Sequence, residues 1–112
     1  MSTIEELEQR IDRLRYQIRE LMLFVDHERC PFVFYALAAD LSKTQVNDIH
    51  KLMKQTAQNI TAGHGPSVEG FESQMREVTG MESDARLIVE SLYKTHQFEE
   101  VYKYFQEKGM TF

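Results

Sequence analysis

Apolar residues at the start of the chain fall on alternating steps of three and four: Ile4, Leu7, Ile11, Leu14, Ile18, Leu21 and Val25. That spacing predicts a helix over residues 4–25, and the residues between them up to Glu20 are polar or charged except Tyr16. Written as a heptad, Ile4, Ile11, Ile18 and Val25 take position a and Leu7, Leu14 and Leu21 take position d, a narrow seam rather than the broad face of a core helix. Ser2 with Glu5 and Thr3 with Glu6 each have capping-box spacing, and the two glutamates complement the positive end of the helix dipole. From Leu21 to Val25, "LMLFV", the apolar positions go round the whole circumference, so the last turn is expected to enter a core while the earlier turns meet one neighbour.

"DHERCP" interrupts this pattern, because Pro31 disfavours a helical Cys30 and is itself suited to the first position of a new helix. The helix that follows, "PFVFYALAADL", is apolar nearly all round and is expected at the centre of the fold. Ser42 with Gln45 repeats the capping-box spacing ahead of Val46, Ile49, Leu52, Met53 and Ile60, predicting a helix over 44–59. "TAGHGPSVEG", residues 61–70, holds three glycines and a proline and reads as a loop, expected to be the most mobile part of the chain. Val68, Phe71, Met75 and Val78 predict a short helix ending at Gly80. Ser83 is placed to cap a helix whose Leu87, Ile88, Leu92 and Val89 are expected to face inward, and Phe98, Val101, Tyr102 and Phe105 predict a last helix stopping at Gly109. The expected class is therefore all-α: a multi-helical bundle with a long coiled-coil-like N-terminal helix. Its single domain, 1–112, divides into an oligomerisation helix (1–26), central helices (31–60), the loop (61–70) and C-terminal helices (71–109).

Length decides what the first stripe packs against. Twenty-two residues make a helix about 33 Å long, whereas a domain of 112 residues has a radius of gyration of about 13 Å. Two of the shorter helices end to end would be needed to cover the stripe from within, while a second copy of the first helix covers it in one step. Ile4, Leu7, Ile11, Leu14, Ile18 and Leu21 are thus the expected interface of a homo-oligomer, Ile at a with Leu at d being a pairing that favours two strands. A parallel pair would set Arg10 against Arg15, and an antiparallel pair would bring Glu8 toward Arg15, so the antiparallel arrangement is favoured.

Composition narrows the function by exclusion. A hydrophobic fraction of 42% and a charged fraction of 28% belong to a folding globular chain. The net charge of -5 disfavours nucleic acid and anionic membranes as partners. One cysteine, no basic-then-apolar leader and no membrane-length apolar run fit a cytoplasmic protein. His27 and Cys30 stand three apart beside Asp26 and Glu28, but a closed zinc site needs four ligands, and the others would have to come from His50, His64, His96 or carboxylates. The apolar run after Cys30 predicts its burial, and a buried thiol is inert. "GHGPSVEG", residues 63–70, has neither Gly-Lys-Ser/Thr nor G-x-G-x-x-G, and Pro66 lacks a donor that a phosphate loop would use. No enzyme activity, cofactor or metal is expected.

A second reading concerns residues 36–52. Ala36, Leu41, Val46 and Ile49 have spacings reminiscent of a helix-turn-helix, with Lys43, Thr44, Gln45, Asn47 and Lys51 where a DNA-binding recognition helix would meet bases. Against it, Asp40 stands where the turn usually has Gly, and Asp48 lies on the recognition helix.

Taken together, "IEELEQRIDRLRYQIRELM", "CPFVFYALAADLSKTQVNDIHKLM" and "FEEVYKYFQEKGM" resemble the YhaI-like family of small uncharacterised bacterial proteins over most of the chain. The resemblance implies an all-helical, self-associating cytoplasmic protein and brings no catalytic residues with it. The partner expected on all these grounds is a second copy, or another protein.

Overall fold

The computed structural model describes residues 3–26, 28–80 and 85–112, in which six α-helices and no strand are found. They are α1 (Ile4–Met22), α2 (Pro31–Ala38), α3 (Lys43–Thr61), α4 (Val68–Thr79), α5 (Ala85–Tyr93) and α6 (Glu99–Glu107). The all-α class is thus the one the hydrophobic pattern predicts. Helices α2, α3 and α4 each start at a local signal. Ser42 and Gln45 form a complete capping box at α3, Ser67 accepts from the Gly70 amide at α4, and Pro31 opens α2. Gly80 ends α4 in the left-handed conformation (φ 70°), donating its amide to the Arg76 carbonyl. The predicted Ser83 cap and the Ser2 capping box lie outside the described residues.

Helices α3 to α6 close a ring in which each packs on two neighbours: α3 on α4 and α6, and α5 on α4 and α6. Their inward positions, Ile49 and Met53, Phe71 and Met75, Ile88 and Leu92, Val101 and Phe105, are almost wholly removed from water. At its centre the Phe71 and Phe105 rings meet at a centroid distance of 4.5 Å, within the range of favourable aromatic pairs. The buried Thr56, Thr79 and Ser91 turn their hydroxyls back onto the carbonyls of Leu52, Met75 and Ile88. Along the edge, Tyr93, Tyr102 and Phe112 stack in series at 3.8 and 4.3 Å, which ties the last residue back onto α5 and α6.

The expectation that α2 sits at the centre is corrected by this arrangement. It lies outside the ring against α5, and only Phe32 is buried, while Val33 and Leu37 face solvent. An all-round apolar helix signals cover on both sides, and here the ring supplies one side. The expectation that residues 21–25 enter a core is corrected for the same reason. Helix α1 stops at Met22, tight turns carry the chain through Val25, and Leu21, Leu23 and Phe24 are exposed.

Helix α1 leaves the body. None of its residues is buried, and it packs closely on no other helix. The molecule is consequently 58 Å long against 27 and 19 Å in its other directions. Its radius of gyration is 16.7 Å, compared with about 13 Å for a compact chain of this length.

The ring is expected to carry the stability of the monomer. Phe105→Ala should lower the unfolding free energy by about 3–5 kcal/mol, while Leu87→Ala, on the half-exposed side of α5 rather than inward as its spacing predicts, should cost under about 1 kcal/mol. Urea titration followed by far-UV circular dichroism checks both.

Candidate functional site

The most distinctive surface of the molecule is the apolar stripe of α1. The Thr3 hydroxyl caps the helix by accepting from the Glu6 amide at 3.1 Å, with Glu5 and Glu6 in the first turn and Arg19 in the last. All six predicted interface residues, Ile4, Leu7, Ile11, Leu14, Ile18 and Leu21, lie 44–77% exposed. The heptad spacing brings them onto one face, and among the described residues no helix packs closely over it, α2 approaching only at Ile18 and Met22.

The stripe does not end at the helix. Asp26 organises the turn that follows: its carboxylate accepts from the Glu28 and Arg29 amides, and its carbonyl from the Arg29 and Cys30 amides. The chain thereby reverses so that α2 returns beside the last turns of α1. Between the two lies a groove of about 320 Å³ lined by Arg15, Ile18, Arg19, Met22, Leu37, Ala38 and Asp40. Exposed Leu37 of α2 therefore extends the apolar surface of α1, with two arginines at its border. Periodicity alone reveals α1 and does not reveal this extension, because it depends on the 26–30 turn.

The candidate chemical residues are scattered. His27 lies outside the described residues. Cys30 is exposed, which corrects the predicted burial: it stands just before α2 in a non-helical conformation, with its side chain outside the core. His50 sits half-buried between the rings of Phe32 and Phe98, at 5.4 and 6.3 Å, and so joins α2, α3 and the start of α6. His64 is exposed in the glycine loop, and the exposed His96 has Nδ1 3.1 Å from a Glu99 carboxylate oxygen. Among the described residues no three His, Cys, Asp or Glu side chains converge as a metal site requires.

The glycine loop is shorter than the predicted 61–70, because α3 continues through Thr61 and α4 begins at Val68. It is also pinned. The Tyr104 hydroxyl donates to the Pro66 carbonyl at 2.8 Å, and its ring lies so close to Gly65 that a Cβ there would come within 2.6 Å of it. The absence of a Cβ at Gly65 lets the Tyr104 ring of α6 approach the loop this closely.

The helix-turn-helix residues are divided between surface and interior. Asp40 adopts the left-handed conformation (φ 55°) that a turn glycine would take, and the Leu41 amide reaches back to the Ala36 carbonyl. Lys43, Thr44, Asn47 and Lys51 are exposed. Gln45 is committed elsewhere: its Oε1 accepts from the Ser42 amide, and its Nε2 donates to the Val78 and Thr79 carbonyls at 3.4 Å. It joins the start of α3 to the end of α4.

A small all-α body carrying a projecting, uncovered amphipathic helix is the class of protein these features define. Residues 4–108 match the family described as "Protein of unknown function (DUF1878)", and the chain belongs to that family. No curated protein and no solved structure matches it. Among the described residues no helix is long and apolar enough to cross a membrane.

The loop anchor yields a direct expectation. Tyr104→Phe removes one neutral hydrogen bond and should cost about 0.5–1.5 kcal/mol, with faster amide hydrogen exchange confined to residues 62–70. Exchange unchanged in that segment would mean that the glycine loop is held by something other than Tyr104.

Proposed function

We propose that the protein is a non-enzymatic, self-associating helical protein of the cytoplasm, acting as an interaction or regulatory module whose working form is a homo-oligomer built on α1. Placing it among the YhaI-like proteins belongs to this reading and rests on the three segments quoted above. The observation that carries the proposal is the uncovered stripe of α1, six large aliphatic side chains on one face of a helix that projects from its own fold. Scattered exposed aliphatics are ordinary on a protein surface, but a continuous row of them on a projecting helix marks an association surface. Burying each of these residues fully contributes roughly 1.5–3 kcal/mol, so two stripes together can exceed the entropy lost on association.

Duplex-DNA binding through residues 36–52 is less well supported. Gln45 is held by α4, the net charge is -5, and the exposed lysines 43 and 51 share their region with Asp40 and Asp48. Wild-type protein is expected to show no retention of duplex DNA at low salt.

Leu14→Glu puts a charge in the middle of the stripe. Light scattering after gel filtration should show an oligomeric wild type and a monomeric Leu14→Glu protein, with the α3 to α6 ring still folded. A Leu14→Glu protein that stays fully associated would remove the stripe as the interface.

A further inference from the structure

We infer that the second copy lies antiparallel to α1 in one register, which pairs Ile4 with Leu21, Leu7 with Ile18 and Ile11 with Leu14 of the opposite chain. This rests on the self-association reading and specifies its partner geometry. The row of exposed residues is its own reverse: read backwards, every a position falls on a d position, so one two-fold axis between residues 12 and 13 matches all six. Each of the six resulting layers sets one isoleucine against one leucine, and symmetry repeats every contact.

The charges select the same arrangement. In this register the flanking e positions bring Glu8 to Arg15 of the opposite chain, twice, and the g positions bring Arg10 to the neutral Gln17. A parallel pair would instead put Arg10 against Arg15 twice and set Glu8 against Thr3. The asymmetry runs along the whole helix. Its first half carries Glu5, Glu6, Glu8 and Asp12 with one arginine, and its second half carries Arg13, Arg15 and Arg19 with one glutamate. Antiparallel pairing also sets the dipoles of the two helices in opposition, end against end.

The register gives the groove beside α2 an occupant. Ile4 of the second copy lies against Leu21, and its acidic first turn arrives at the cleft between α1 and α2, where Ile18, Met22 and Leu37 supply apolar wall and the positive charges of Arg15 and Arg19 outnumber the one carboxylate, Asp40. The tip of one arm is thus seated on the body of the other chain, and Leu37 is covered by the partner copy.

Disulfide trapping in the full chain tests this. With Cys30→Ser as background, Leu7→Cys and Ile18→Cys proteins are prepared separately, mixed and oxidised, and resolved on a non-reducing gel. The mixture should form a covalent dimer and Leu7→Cys alone should not, since its two cysteines would lie about 16 Å apart along the axis, beyond disulfide reach. Self-linking of Leu7→Cys would overturn the antiparallel register, as would an oligomer that forms no link between positions 7 and 18. A monomeric mass for the wild type would overturn self-association itself. Charge reversal gives an independent readout. Glu8→Arg or Arg15→Glu alone should raise the dimer dissociation constant about tenfold, and the two together should restore it. Tighter association of Arg15→Glu alone would indicate the parallel pair and overturn the proposal.

Discussion

A helix of nineteen residues gains little from its own hydrogen bonds in water, and most helices depend on burying one face. Helix α1 has such a face, and among the described residues no helix of its own chain packs closely against it. This constraint organises the rest of the molecule. The α3 to α6 ring closes its core without α1, so it needs nothing from the arm. The arm needs a great deal, and a second copy offers the matching length, the matching spacing and the opposite charge order. The exposed side of α2 follows the same logic, since Leu37 continues the apolar surface at the point where the arm meets the body.

The ring explains how a domain this small leaves so much apolar surface unused. Its four helices remove their inward aliphatic and aromatic residues from water and satisfy the buried hydroxyls internally. Two side-chain ties fix the connections around it: Gln45 holds α3 to the end of α4, and Tyr104 holds the loop before α4 against α6. With those ties in place the body has a defined outer surface from which α1 projects.

Much of this was legible in the residues, and the failures have a common cause. Helix boundaries followed from capping side chains, Pro31 and Gly80, because these act over three or four residues and leave a local signature. The exposed apolar stripe of α1 is legible for the same reason, being periodic over a single helix. The misplaced segments were residues 21–25, α2 and Cys30. Hydrophobicity there predicts burial in the fold, but a sequence records that a face is apolar and not whether its own fold covers it. The groove beside α2 and the Gln45 and Tyr104 ties join residues far apart in the chain, and no local pattern announces them.

The most direct measurement is amide hydrogen exchange of residues 4–22 over a range of protein concentrations. If a second copy covers α1, its amides should be protected at high concentration and lose protection together on dilution, while those of the α3 to α6 ring stay protected throughout. Protection of α1 that does not change with concentration, in a protein of monomeric mass, would contradict the account, because the helix would then be held by its own chain.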